Sequence, residues 1–198
     1  MKIAHSAASP YVRKVMACAI ARGLNDKIER MKIGTTDPAL LAYNPLSKVP
    51  TLITDDGASL YDSPVICEYI ASLGTGPVLI PAAGSARFAV LRLQALTDGM
   101  TDSLVIRRVE GMRPEEDARK AWIEVHRLNI VRGLDWLEQN VPGTALDLGS
   151  ISVVCMLGFL DFRFAADAWR TGRPNLSAWY DAILREPALA RTVPREPT

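Results

Sequence analysis

SAASPYVRK, residues 6–14, decides how this chain begins to fold. Ser9 stands directly ahead of a proline, and a serine followed by proline at the first helical position is a helix-start signature. From Pro10 the apolar residues Val12, Val15, Met16, Ala19 and Ile20 recur at helical spacing until Gly23 ends the run. Residues 1–4 read as a short strand. The order strand, tight loop, helix sets Ser9 where unpaired backbone N–H groups and the positive end of the helix dipole converge. An anion such as a thiolate is stabilised at such a point.

Beyond this opening, residues 29–33 alternate weakly as a second strand, and Asp37-Pro38 opens a helix over ALLAY that Asn44-Pro45 closes. Residues 49–53 and 58–61 read as strands joined by Asp55-Asp56-Gly57, a turn signal that predicts an antiparallel hairpin. Ser63 as N-cap and Pro64 as the first helical residue then start a helix that carries Val65, Ile66, Tyr69 and Ile70 and ends at Gly74. Residues 1–75 thus follow the order βαβαββα.

Residues 74–85, GTGPVLIPAAGS, hold three glycines and two prolines and mark a connection between domains. The division expected is 1–75, a linker at 76–85, and an all-helical domain at 86–198. Phe88, Leu91, Ala95, Leu96, Met100 and Leu104, then Trp122, Val125 and Leu128, predict two long amphipathic helices broken near Arg113-Pro114. Residues 151–160 are apolar on nearly every face, which predicts a helix at the centre of its domain, with Phe159, Phe162 and Phe164 as core or interface. Asp147 and Ser150 have capping-box spacing with inverted polarity, predicting a weakened reciprocal bond. Residues 175–184 supply a further helix, and PREPT at 194–198 is expected to fray.

With 48% hydrophobic and 23% charged residues, the composition is that of a folded globular chain. Its 23 basic and 22 acidic residues give a formal net charge of +1, without the basic footprint that nucleic acid or an anionic membrane requires. No segment reaches the ~20 apolar residues of a membrane span, and the first residues lack the apolar core of a signal peptide, so a cytoplasmic protein is expected. Cys18, Cys67 and Cys155 are widely spaced and odd in number, which predicts reduced helical thiols and neither a disulfide framework nor a zinc site. His5 and His126 have no neighbours suited to a metal box or a catalytic triad, and structural roles are expected. No metal site is expected at all.

SPYVRK, NPLSKVPTL, LYDSPVICEYI and DLGSISVVCMLGFLDFR, in this order, resemble the cytosolic glutathione transferases, specifically small bacterial serine-type members. The resemblance spans essentially the whole chain and implies an α/β thioredoxin-like N-terminal domain that holds glutathione. An all-α C-terminal domain would then line the pocket for a second, electrophilic substrate. Ser9 corresponds to the serine that hydrogen-bonds the glutathione sulfur, and Val49-Pro50 to the segment whose proline is cis and offers the Val49 backbone to the tripeptide. Asp62 and Ser63 match the pair that answers the γ-glutamyl ammonium and carboxylate. Lys48 stands where a cation can pair with the glycyl carboxylate. Asp98 resembles the acid that reaches the γ-glutamyl group of the neighbouring subunit, which implies a homodimer. Ser47 departs from the pattern, replacing a common glycine.

Local sequence leaves alternatives open. Ser9 also fits a plain N-cap, Ser6 and Tyr11 are competing hydroxyls, Lys48 fits a surface lysine, and Asp98 and Asp102 fit a solvated helix face. Arg107 and Arg108 are within reach of an acidic substrate, but a solvated face describes them better. Met100, Leu104 and Met112 point to a partly apolar pocket. The activity expected is conjugation of glutathione to a small electrophile, because serine cannot form the mixed disulfide used by cysteine-type members. The competing expectation is a binding or regulatory protein of the same fold with little catalysis.

Overall fold

In the computed structural model, which describes residues 1–31, 33–34 and 37–196, a mixed sheet is followed by helices only. The elements are β1 (Lys2–Ala4), α1 (Pro10–Ala21), β2 (Glu29–Met31), β3 (Thr51–Ile53), β4 (Ser59–Leu60) and α2 (Ser63–Ser72). After them come α3 (Gly84–Gly111), α4 (Asp117–Gln139), α5 (Leu148–Arg163), α6 (Pro174–Ile183) and α7 (Pro187–Ala190). The strand order is β2-β1-β3-β4. Ile3 pairs in parallel with Arg30 and antiparallel with Leu52, and Leu52 pairs antiparallel with Leu60.

Several local expectations need correction. The segment over ALLAY is a 3-10 helix, Pro38–Ala42, capped by Asp37, whose side chain accepts from the Ala39 N–H at 2.9 Å. The strand expected from residue 49 starts at Thr51, because Pro50 has no N–H to give to a ladder. The strand expected over residues 29–33 ends at Met31; Ile33 lies beyond it, and Lys32 is outside the described residues. The N-cap of α2 is Asp62, not Ser63: the Ile66 N–H bonds the Asp62 carbonyl at 3.1 Å, so the first turn closes one residue earlier. Asp147 and Ser150 form a complete capping box despite the inverted polarity, with bonds of 2.8 and 2.9 Å.

The core runs without a break from the sheet to the helices. Ile3, Val15 and Leu52 of the first half join one buried cluster with Val153, Met156, Leu157 and Leu160 of α5. Helix α5 is buried along residues 148–160, as its all-round apolar sequence predicts. Close approach of α1 to α5 depends on Gly158: a Cβ there would lie 2.0 Å from Arg13 Nη1, which donates to the Val154 carbonyl at 3.2 Å.

The connection between α2 and α3 is strapped down by Arg22. Its guanidinium donates to the carbonyls of Leu73, Gly74, Gly76 and Pro77 at 2.8 to 2.9 Å. The Leu79 side chain is buried, and its carbonyl accepts from Leu148 N–H at 2.9 Å, tying the connection to the start of α5. Leu79 therefore anchors α5 as well as linking the halves.

Candidate functional site

The site is built around the loop that precedes β3. Asn44 and Thr51 are both buried. Asn44 Oδ1 accepts from Leu46 N–H at 2.9 Å, and Asn44 Nδ2 donates to Thr51 Oγ1 at 2.9 Å and to the Lys48 carbonyl at 3.2 Å. Thr51 Oγ1 donates to the same carbonyl at 2.8 Å. This network holds residues 48–50 against the start of α1, with the Val49-Pro50 peptide cis. Ser47 adopts φ +48°, the left-handed region that a glycine enters freely.

A cavity of about 710 Å³ opens between this loop, the N-terminus of α1 and the helices α3 and α5. Ser9, Lys48, Val49, Pro50, Asp62 and Ser63 all line it, as do Ser6 and Tyr11. Ser9 is the N-cap of α1, and its Oγ accepts from Val12 N–H at 3.3 Å. That bond uses a lone pair and leaves the hydroxyl proton for a ligand. Ser63 is buried in the first turn of α2, where backbone N–H groups have no helical partner. Tyr11 differs: its hydroxyl donates to Asp102 Oδ1 across the cavity. Burial, then the Asp102 bond, hold the phenol well above its ordinary range, so it stays neutral.

Asp98 is not brought to this cavity. Both of its oxygens accept from Lys14 Nζ, at 2.6 and 2.7 Å, and the Lys14 side chain is 2% exposed. Burial raises the Asp98 carboxyl above its ordinary value, with Lys14 opposing the shift. Asp102, one turn further along α3, lines the cavity in its place.

The opposite wall is apolar with cations at its rim. Val105, Ile106, Val109 and Met112 of α3 and Phe159 of α5 line it, together with Arg108 and Arg163. Met112 is where the sequence puts it, but Met100 and Leu104 are buried in the core, on a different face of α3. Arg107 is likewise no solvated residue: it is largely buried, bonds Asp167 at 2.6 and 3.2 Å, and lies 4.5 Å over the Phe164 ring. Arg163 escaped the sequence reading, as did the stripe 102-105-106-109, whose helical spacing is its only signal. Arg163 lies over Phe162 and pairs with Glu196, so part of the tail expected to fray is held; Pro197 and Thr198 lie outside the described residues.

The remaining candidates for chemistry are occupied elsewhere. Cys18, Cys67 and Cys155 are buried and free of disulfides, in α1, α2 and α5. Burial pushes Cys155 up to about 11, and a hydrogen bond to Cys67 together with burial raises Cys18, so neither thiol is reactive near neutral pH. His126 Nδ1 is 3.1 Å from Ser103 Oγ in the helical core. Among the described residues no group of three or more His, Cys, Asp or Glu is placed to hold a metal ion, and no helix is long and apolar enough to cross a membrane.

A small mixed sheet with cis-proline loop, followed by an all-helical half and a shared cleft, is the two-part architecture of the glutathione S-transferases. Residues 8–73 match the family model of the glutathione S-transferase N-terminal domain, and residues 120–182 that of its C-terminal domain. The chain is 32% identical over 199 residues to the uncharacterized GST-like protein YibF of Escherichia coli K12, covering 98% of each. A glutathione transferase family member from Pseudomonas fluorescens Pf-5, crystallised with bound glutathione, superposes with a TM-score of 0.89 at 38% identity, covering 100% of this chain and 99% of that one. A Pf-5 structure with bound S-(propanoic acid)-glutathione gives 0.86 at 37%, covering 98% and 100%. This chain belongs to the glutathione S-transferase family.

Proposed function

We propose that the chain is a glutathione transferase that binds reduced glutathione in the 710 Å³ cavity and activates its thiol for attack on a small, partly apolar electrophile. The observation that carries this reading is the convergence of Ser9, Lys48, Val49, Pro50, Asp62 and Ser63 on that one cavity. Relatives with bound glutathione and a bound S-conjugate support it.

In this reading the Val49 backbone pairs with the cysteinyl unit, and Ser63 with the exposed N–H groups of α2 takes the γ-glutamyl carboxylate. Asp62 answers the ammonium, and Lys48 pairs with the glycyl carboxylate. Ser9 donates its hydroxyl proton to the sulfur while the α1 N-terminus adds its dipole. A thiol near 8.5 is only a few per cent ionised at pH 7, and each unit of depression corresponds to ~1.36 kcal/mol. Ser9 and the helix terminus supply about one to two units, so no general base is needed. The thiolate then attacks the electrophilic carbon, forming the thioether as the leaving group departs with its electron pair, or, at an activated double bond, as the π electrons shift to the activating group and the product takes a proton from water. Val105, Ile106, Val109, Met112 and Phe159 hold the apolar part of that substrate.

The chain is proposed to act as a cytoplasmic homodimer. Phe88 on α3 and Trp122 and Val125 on α4 are exposed apolar side chains that a second copy would cover. Sedimentation is expected to give a dimer at micromolar concentration, where a monomer contradicts it. Asp98, if it reaches a neighbouring subunit, does so from its pair with Lys14.

The test is conjugation of glutathione to an aryl halide, with thiolate absorbance followed against pH. Ser9→Ala is expected to raise the bound thiol by about one pH unit, the helix terminus keeping the rest of the depression. An unchanged profile removes Ser9 from the mechanism, and calorimetry without glutathione binding at millimolar concentration removes the enzyme reading altogether.

A further inference from the structure

The second-substrate end of the large cavity carries charge that thiol activation leaves idle. Arg108 of α3 and Arg163, the last residue of α5, both line it, at the rim of the apolar wall. The acids lining the same cavity are committed at its other end. Asp102 accepts the Tyr11 hydroxyl, and Asp62 is the N-cap of α2, at the glutathione end. Among the described residues Arg108 is in no ion pair.

A carboxylate already sits on Arg163. Glu196, in the tail beyond α7, accepts from Nη1 with one oxygen and from Nη2 with the other, the second at 3.0 Å, which is the forked geometry that a guanidinium and a carboxylate share. The Arg163 hydrogen bonds, helped by the charges of Arg163 and Arg108, hold the Glu196 carboxyl below its ordinary range, so Arg108 faces the same anion. One tail carboxylate thus answers two guanidiniums. Glu196 is 66% exposed, and an ion pair that open to water is weak, so the tail gives way to another carboxylate of the same shape.

The spacing along α3 orders the cleft. Asp102 marks the α1 end through its bond with Tyr11, and Arg108 follows six residues later, ~9 Å along the helix axis, with Val105 and Ile106 between them. We propose that the second substrate is a carboxylate-bearing electrophile, its anionic end held by Arg108 and Arg163 in place of Glu196 and its apolar body laid along Val105 and Ile106. This rests on the glutathione-transferase reading and narrows its substrate class. A carboxylate is the group whose fit on Arg163 the tail displays, whereas a wholly apolar electrophile leaves Arg108 without a counter-charge.

The experiment compares a chloronitrobenzoate with its neutral amide at saturating glutathione. In each the thiolate displaces chloride from the ring carbon, and rates divided by the uncatalysed rates correct for the weaker activation of the ring by a carboxylate. Wild type is expected to favour the acid about tenfold in KM. Arg108→Met is expected to lower that preference about tenfold, and Arg108→Lys, which keeps the charge, to retain part of it. Glu196→Gln, which removes the competing carboxylate, is expected to raise the preference about threefold. A wild type that conjugates both compounds without favouring the acid, or whose preference survives Arg108→Met, overturns the proposal and leaves the glutathione-transferase reading standing. A wild type that conjugates neither overturns both.

Discussion

Lys14 and Asp98 meet across the two halves of the molecule, the ammonium of α1 donating to both carboxylate oxygens of α3 at 2.6 and 2.7 Å. The lysine is almost wholly enclosed, so the pair joins the helix that opens the site to the helix that forms its far wall. Removing the carboxylate strands the enclosed ammonium without a counter-charge.

Asp98→Asn is therefore expected to destabilise the chain by about 3 kcal/mol, read as a lower denaturant midpoint at constant slope. Lys14→Met combined with Asp98→Leu is expected to recover most of that loss. A variant of normal stability with a raised KM for glutathione would instead assign Asp98 to ligand binding.

Tyr11→Phe deletes the hydrogen bond to Asp102 but no donor to sulfur. The thiolate-against-pH profile is expected to stay within about 0.3 units of wild type, since the phenol proton is already committed to the carboxylate. A shift comparable to that of Ser9→Ala would make Tyr11 the thiol's partner.

Arg22→Ala frees the carbonyls of Leu73, Gly74, Gly76 and Pro77. A loss of about 2 kcal/mol is expected, because donation from a charged group to several carbonyls is worth more than a neutral bond. Faster amide exchange over residues 73–79 is the local readout.

His5 titrates below its ordinary 6.5 in the folded chain, chiefly through burial. Just below 6.5 the unfolded chain then binds more protons than the folded one, so stability rises with pH through this window and is lost on acidification. His5→Gln is expected to flatten the dependence in the window just below pH 6.5. An unchanged slope would show that His5 is not its source.

What the sequence made readable is what short-range chemistry dictates. Ser9-Pro10, the capping box at Asp147 and the all-apolar α5 are set by neighbours a few residues away, whereas the cis proline of NPLSKVPTL was legible only through the family resemblance. Pairings across long separations left no trace: Lys14 with Asp98 is 84 residues apart, and Arg107 with Asp167 is 60. The phase of α3 was also hidden. Its apolar residues cover more than one face, and only packing decides that Met100 and Leu104 enter the core while Val105, Ile106 and Val109 face the cleft. The Ser63 cap failed by a single residue, since helix register at a proline admits two neighbouring starts.

The notch that Gly158 leaves for Arg13 also bears on how such proteins can be recombined. Grafting residues 1–75 onto a relative's helical portion brings a bulky knob that needs a bare backbone opposite it, so a recipient with alanine there would hold its two modules apart. Successful chimeras should be those in which the arginine and the glycine are inherited together.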